Sequence, residues 1–501
     1  MTNKVIKPRI FILTSRVYEV AGGRTKATIA RMMFLQQHFD TTLIEMSATK
    51  YPGEELSKVF AKYQTDFNAV NPWLNSEKNP LREKNYLDFL KEQTGSIGDP
   101  KIFEGAQETF TLQTLSGSKI KSFMQNGKIA RLRIYHPDGK VDFCALDDKQ
   151  NIFLRELYSK DDLLARYYLN SAGQVSSGFV IEKDNAKKFI YRANNNKLIY
   201  TRSINDHNIA FLNDILQDGD IIISDVRYYD DLLEKLQPHV NKVHVWHEIA
   251  LNLRKDSGVN PAYTKITDPN YPLAETDRVV VFTDDARDEY AMAFPHMRRN
   301  FTVIPYGMDV KLTDGEIARD KNLFVSIGRI TPDKNLAAQI QAFAIFRKKY
   351  PNAVFQIFGE GSDEANLQKH IDELGLGEAV TLRGFTHNAD KIFQQATMTL
   401  FSSNYETFGL TILESLSYGT PVASYAVRFG AKMMIEDSKN GILSKENTPE
   451  SLASAMIKLY EANLSPEQVR RTVEAKFSLK RFENDWLALI STLTEAKNDA
   501  E

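Results

Sequence analysis

The sequence predicts an α/β protein of two Rossmann-like domains facing a cleft, with an antiparallel β-rich insertion in the first. Three observations lead there. Short β-branched runs alternate with helically spaced stretches at both ends of the chain, the pattern of parallel sheets covered by helices. Between about Thr109 and Thr201 that rhythm gives way to short alternating runs separated by turn signals. In the C-terminal third, the apolar run Met398 to Phe401 is followed by a polar loop and then a helix, a strand, loop and helix N-terminus in sequence. The expected boundaries are 1–100 and 205–308 for the first domain, 101–204 for the insertion, 309–480 for the second domain and 481–501 for a closing helix that packs back on the first.

A chain of 501 residues with 42% apolar composition can bury large cores. Its net charge of −2 gives no sign of a nucleic-acid partner. The single cysteine, Cys144, excludes an intramolecular disulfide framework and fits a reducing compartment. No apolar run approaches the roughly 18 to 20 residues that cross a bilayer, and the first residues lack a signal-peptide core. A soluble, cytoplasmic protein is expected.

Arg9 to Thr14 reads as a buried strand and Lys26 to Phe39 as a helix, through Ile29, Met32, Met33 and Leu35. Gly22 and Gly23 lie between them, where a doubly wound sheet lets a ligand reach the backbone; a plain tight turn would look the same. The dinucleotide fingerprint G-x-G-x-x-G is absent. Thr41 to Met46 is a second strand. The stretch after it is polar, broken by Pro52, Pro72, Pro80 and Pro100, and says little about chemistry beyond a helical segment at Asn85 to Gln93.

In the insertion, Asn126-Gly127 and Asp138-Gly139 are hairpin signals, and Ser171 to Gly173 and Asn194 to Asn196 mark further turns. Lys128 to His136, Lys140 to Ala145, Asn151 to Leu157, Val175 to Ile181 and Lys188 to Arg192 fit successive strands of a meander. The module is either a stabilising ornament or a surface for docking or self-association, since free sheet edges need protection or a partner. Phe123, Tyr135, Phe143 and Tyr167 supply aromatic surface for the second reading.

Parallel strands resume at Asp220 to Ser224, Lys242 to His247, Arg278 to Thr283 and Phe301 to Pro305. His247 is expected to close its strand on the ligand side of the sheet; His244 reads as structural. A new sheet starts at Phe324, with Arg329 and Lys334 five residues apart just past its strand. Phe355 to Gly361 and Val380 to Phe385 follow, the latter leading into Thr386-His387-Asn388.

The stretch Ser402 to Gly419 carries the most chemistry. Glu406 precedes its helix and Glu414 lies inside it, seven residues between them. From Gly409 to Glu414 the chain climbs about 7.5 Å, so one carboxylate is level with the unpaired amides of the helix start and the other sits above them. Amides near Phe408, Gly409 and Leu410, with the helix dipole, favour an anion such as a diphosphate. Glu406 and Glu414 would accept hydrogen bonds from hydroxyls on either side of it. A nucleoside diphosphate sugar has that layout, although isolated glutamates at this spacing are usually solvated surface charges.

With Gly409, Gly419 and the strand Pro421 to Ser424 around it, this stretch resembles the E-x7-E signature of retaining glycosyltransferases of the GT-B fold, family 4. Ile304 to Asp309 resembles the family's I-P-x-G-x-D hinge and Val243 to Glu248 its histidine segment, and the likeness runs from about Val5 to Ile490. The resemblance implies that Arg329 and Lys334 neutralise the diphosphate, that Gly22, Gly23 and Arg24 face the diphosphate and acceptor, and that Phe385 contacts the base. It implies that His247 touches the transferred sugar or the acceptor. No metal ligand cluster is legible and no cofactor is expected, so cations and amides must stabilise the leaving group. Front-face displacement is the expected mechanism, with double displacement through a protein nucleophile second.

The insertion narrows the resemblance to bacterial enzymes that decorate surface polymers: teichoic-acid α-glycosyltransferases, and accessory-secretion enzymes that glycosylate serine-rich-repeat adhesins. Relatives use UDP-glucose or UDP-N-acetylglucosamine and associate through the insertion, which implies a homo-oligomer, with a secretion complex or the membrane periphery as further partners. The alternative is a non-catalytic sugar-binding or chaperone subunit, which would be expected to lack one or more of Arg329, Lys334, Glu406 and Glu414. A sucrose or trehalose synthase or a phosphorylase is a third, without such an insertion.

Overall fold

The computed structural model describes residues 7–15, 23–46, 68–72, 109–113, 118–125, 128–146, 152–169, 174–182, 186–193, 195, 197–247, 277–309 and 318–495. The chain divides into two compact units, Met1–Lys242 and Val243–Glu501.

In the first unit the strands Ile221–Ser224, Ile10–Thr14, Thr41–Glu45 and Ala69–Val70 pair in parallel in that order. Ile10–Thr14 and Ile221–Ser224 are buried along their whole length, as strands covered on both faces must be. The helix Gly23–His38 begins at the second glycine of the predicted turn, three residues earlier than its apolar spacing indicated. Its Arg31 forms a buried ion pair with Asp225, which also accepts from the Thr28 hydroxyl at 2.6 Å. This fixes the helix against the end of Ile221–Ser224. Gly22 and the segment Asn85 to Gln93 lie outside the described residues.

The insertion is a sheet of nine strands in chain order, from Thr109–Gln113 to Leu198–Thr201, each antiparallel to the next. Five of them were expected. Asp162–Leu169 escaped notice because Leu163, Leu164 and Ala165 and then Tyr167 and Tyr168 do not alternate, and Lys119–Gln125 because two of its first three residues are lysines. The core changes face across this sheet. Ile120, Leu132, Ile134 and Cys144 pack on one side, whereas Leu154, Tyr168, Phe179 and Phe189 pack on the other. Two buried acids are paired within it. Asp142 meets Arg155 at 2.6 Å and His136 at 3.2 Å, while Glu156 meets Arg166 at 2.7 Å.

In the second unit Arg278–Val281 lies between Asn241–Val245 and Phe301–Val303, all parallel. Trp246, Tyr290, Phe294, Phe301 and Phe429 form one core beside them. Each strand ends two residues before its apolar run does, which moves one expected site residue. His247 does not close its strand. After Val245 the Trp246 amide bonds to Val280 O at 3.0 Å and the His247 amide turns back to Val245 O at 3.2 Å, carrying the chain out of the sheet.

A six-stranded parallel sheet follows, in the order Val380–Leu382, Val354–Phe358, Asp320–Ile327, Ala396–Phe401, Val422–Ser424, Gly441–Leu443. From Asp320–Ile327 the chain first builds outward on one side and then on the other. The switch point, where such sheets open a crevice for ligands, lies between the ends of Asp320–Ile327 and Ala396–Phe401. The closing helix Leu479–Glu495 buries Phe482, Trp486, Leu489, Ile490 and Leu493 along one face. Gly307 is pressed against its start, so that a Cβ there would stand 2.5 Å from that of Phe482.

Candidate active site

Two loops leave the switch point, residues 328–335 after one strand and 402–409 after the other. Backbone contact holds the first in place. A Cβ on Gly359 would lie 1.7 Å from Gly328 O, and one on Gly361 would lie 2.1 Å from Ile330 O. The Gly359 amide also donates to Gly384 O at 2.8 Å, so three strand ends are tied together by glycines. Asn335, left-handed at φ 49°, then turns the chain into the helix Leu336–Lys349.

Ser402 joins the loops, its hydroxyl donating to Asn335 O at 2.8 Å and accepting from Gln339 Nε2 at 2.9 Å. The Asn404 amide donates to Asp333 O at 2.9 Å. Across this seam Lys334 Nζ reaches Glu406 Oε1 at 2.5 Å, and the Ser403 hydroxyl donates to the same oxygen at 2.9 Å. Asp333 Oδ2 stands 3.9 Å from Lys334 Nζ and 3.6 Å from the Arg329 guanidinium. The two cations differ in setting, since the Lys334 side chain is 20% exposed and that of Arg329 70%. Lys334 is therefore a held charge, and Arg329 an exposed one.

Glu406 is also held by its backbone, its amide donating to Arg428 O at 2.8 Å and its carbonyl accepting from the Phe429 amide at 2.7 Å. Arg428 pairs with Glu289, and burial pulls its guanidinium below the ordinary value. Gly430, at φ +78°, abuts Phe408 so closely that a Cβ would stand 1.6 Å from Phe408 O. Gly409, at φ +89°, then starts the helix Leu410–Ser417, where a left-handed residue favours glycine. The amides of Phe408, Gly409 and Leu410 bond to nothing among the described residues. Glu414 is half-buried on this helix one turn before Tyr418, whose hydroxyl is pushed up by burial, with Asp390 and Glu414 adding to it. Gly419, at φ +83°, ends the turn with its amide on Leu416 O at 2.9 Å.

Phe408 is 1% exposed and meets Tyr306 edge-on at 5.1 Å. Tyr306 stacks on Phe282 at 4.4 Å, and its hydroxyl lies 2.9 Å from His247 Nδ1. The predicted histidine is thus connected through two aromatic rings to the loop that carries Glu406. Phe385, on the loop after Val380–Leu382, is 48% exposed and meets His387 edge-on at 4.8 Å. That pair is an open platform for a planar ring.

The structure therefore brings together Arg329, Lys334, Glu406, Phe408, Gly409 and Leu410, and links His247 to them. Gly23 and Arg24 belong to the other unit, where Arg24 O accepts from the Thr28 hydroxyl at 3.0 Å. Sequence reasoning missed Asp333, Ser403 and Tyr306. Their signal is adjacency to Lys334, Glu406 and Gly307, which is too weak to read alone. Among the described residues no group of three His, Cys, Asp or Glu side chains could hold a metal ion.

Fixed donors and cations at a switch point, with carboxylates beside them, suit an anionic group flanked by hydroxyls. Solved structures of the same shape decide the fold. Staphylococcus aureus TarM superposes with a TM-score of 0.73 at 18% identity, over 96% of this chain and 98% of that one. The GtfA/B complex gives a TM-score of 0.77 at 17% identity, over 97% and 100%. The fold is GT-B.

Within it, residues 310–476 match the family described as Glycosyl transferases group 1. That segment contains Arg329, Lys334, Glu406 and Glu414. Over its full GT-B length the chain is 25% identical to the poly(glycerol-phosphate) alpha-glucosyltransferase of Bacillus subtilis, covering 96% of this chain and 74% of that enzyme. A shorter match, 26% identical, covers 33% of this chain and 34% of the poly(ribitol-phosphate) alpha-N-acetylglucosaminyltransferase of S. aureus. The GtfA subunit of a UDP-N-acetylglucosamine–peptide N-acetylglucosaminyltransferase from Streptococcus gordonii is 26% identical over 46% of this chain and 48% of its own length.

Proposed function

We propose that this chain is a retaining glycosyltransferase that moves glucose or N-acetylglucosamine from a UDP-sugar to a hydroxyl of a bacterial surface polymer. The convergence of Lys334, Glu406 and the free amides of Phe408 to Leu410 at the switch point carries the reading. The diphosphate sits at the start of Leu410–Ser417, where the amides and helix dipole favour an anion. Lys334 and Arg329 hold the charge that grows on the leaving phosphate, and Glu406 and Glu414 accept hydroxyls of the bound donor. In front-face displacement the acceptor oxygen bonds to the anomeric carbon on the side from which the diphosphate departs. The acceptor's proton passes to the leaving phosphate oxygen. Glu406 is a poor covalent nucleophile, because one of its oxygens is held by both Lys334 and Ser403. No metal takes part in this scheme.

A phosphodiester polymer of the teichoic-acid kind is the acceptor we favour. On one face of the insertion Lys119, Lys121, Arg131 and Arg133 are exposed. None forms an ion pair among the described residues, and Lys121 and Arg133 lie over the rings of Tyr135 and Phe123 at 5.7 and 5.8 Å. Such a face suits a chain of phosphates. The similarity to GtfA subunits supports a second reading, a serine-rich-repeat glycoprotein as acceptor. A cytoplasmic location and self-association through the insertion are further parts of this proposal. No helix among the described residues is long and apolar enough to cross a membrane.

The test is a hydrolysis and transfer screen. Purified protein is given UDP-glucose or UDP-N-acetylglucosamine, alone and with teichoic acid or a Ser-rich peptide, bare or glycosylated. UDP release that rises with teichoic acid and leaves an α-linked sugar on it is the expected result. No turnover of either donor with any acceptor favours the non-catalytic subunit instead.

A further inference from the structure

We infer that Arg428 and Phe429, anchored by Glu289 and Tyr290, are positioning residues for Glu406: the loop that carries this carboxylate is held from behind by the helix Asp284–Ala293. The inference rests on the proposed role of Glu406 in glycosyl transfer, and it deepens that reading by naming what sets the carboxylate in place.

Glu406 lies in no strand or helix, so no ladder fixes its peptide groups. Its amide donates to Arg428 O at 2.8 Å and its carbonyl accepts from the Phe429 amide at 2.7 Å. Arg428 O and the Phe429 amide belong to one peptide group, and the orientation of that single plane sets both bonds. Arg428 and Phe429 are themselves loop residues, between the strand Val422–Ser424 and the short helix Ala431–Met434. A loop bonded to a loop is steady only when one of the two is tied to something else.

The side chains of the dipeptide supply that tie, and both reach one turn of one helix. Phe429 is 3% exposed and belongs to the core cluster of Trp246, Val281 and Tyr290, whose other buried members all lie between residues 246 and 301. Its ring meets that of Tyr290 edge-on, with centroids 5.9 Å apart. Arg428 pairs with Glu289, the residue before Tyr290 on Asp284–Ala293. The two side chains are 28% and 32% exposed, and neither has another ionic partner among the described residues. A pair so sheltered counts for more than one in open solvent, and removing either member leaves the other charge partly dry. One apolar and one ionic contact from adjacent residues therefore fix the peptide between them. Lys334 and Ser403 hold the carboxylate of Glu406 from the front, and the dipeptide holds its backbone.

The experiment combines amide hydrogen exchange with UDP release from UDP-glucose or UDP-N-acetylglucosamine. Its variants are Glu289→Gln, Arg428→Gln, Glu406→Ala, and Glu406→Ala with Arg428→Gln. In Glu289→Gln and Arg428→Gln, peptides covering residues 402–409 and 425–430 should exchange several-fold faster, while the strand Ala396–Phe401 keeps its parent rate. In each, kcat should fall about tenfold, less than the roughly 10²-fold that a 1 Å misplacement can cost. Adding Arg428→Gln to Glu406→Ala should cost nothing further, because the dipeptide acts through Glu406. A role in general stability alone would not produce that dependence. If either charge variant fails to fold, Phe429→Leu, which keeps an apolar side chain in the core, makes the same test.

Unchanged exchange at both segments in Glu289→Gln and Arg428→Gln overturns the inference. So do rate losses that multiply when Arg428→Gln joins Glu406→Ala. If Glu406→Ala turns over at the parent rate, or the parent turns over neither donor, the site reading fails instead, and exchange at residues 402–409 still decides whether the helix holds the loop.

Discussion

Lys334 and Arg329 look alike in sequence, two cations five residues apart in one loop, yet their surroundings separate them. Lys334 is fixed between Glu406 and Asp333, whereas Arg329 is 70% exposed with one distant partner. A fixed charge needs no reorganisation when the leaving group develops its own. Lys334→Ala should therefore lose about 10²- to 10³-fold in kcat, roughly 2.7 to 4 kcal/mol of transition-state stabilisation. Arg329→Ala should lose less, and equal losses would mean that the loop carrying Arg329 closes over the donor. Turnover near the parent rate in a folded Lys334→Ala protein would remove that lysine from the site. The paired carboxylates and the glycine before the helix were legible because their spacing has a geometric meaning. Ser403 and Asp333 were not, since a loop serine and aspartate acquire a role only once another loop is seen beside them.

Among elements, the parallel strands were readable from β-branched runs, but their ends were not. A run such as Lys242 to His247 continues past Val245, while its pairing with the partner strand Arg278–Val281 ends at Val245, opposite Val280. Partner length is not written in the run itself. Glycines at element ends carry the complementary information, and Gly430 is the most exacting among them. At φ +78°, with Phe408 O occupying the space of any Cβ, it sets where the donor loop lies. Gly430→Ala combines a strained backbone, about 1 to 3 kcal/mol, with displacement of Phe408. A lower melting temperature together with weakened UDP binding by calorimetry is the expected outcome. A melting temperature reduced without any change in UDP affinity would show that the diphosphate amides lie elsewhere.

For the whole molecule, the proposed donor site lies in one unit and the nine-stranded sheet in the other, so their roles can be tested separately. In the proposed scheme fixed cations and amides do at the donor site what a divalent ion does elsewhere, and on that scheme transfer should survive EDTA. Complete loss on chelation, restored by magnesium or manganese, would reveal a metal site. The insertion calls for a different test, because its core changes face and leaves Lys119, Lys121, Arg131 and Arg133 exposed on the face that also carries Glu156, whose carboxylate is already paired with Arg166. Like charges set close together cost stability unless something anionic meets them. Replacing all four by Gln should leave UDP-sugar hydrolysis intact and should reduce transfer to teichoic acid. Transfer by the parent should also weaken as salt rises, since exposed charges are screened beyond about 10 Å at 0.1 M. A second variant, with residues 109–201 replaced by a Gly/Ser linker and folding checked by circular dichroism, extends the test to assembly. Hydrolysis retained while oligomer mass or polymer transfer is lost assigns those roles to the insertion. If both variants transfer to polymer at the parent rate and the excised protein keeps its assembly state, the sheet is ornament, and the acceptor must be held by the donor-binding architecture alone.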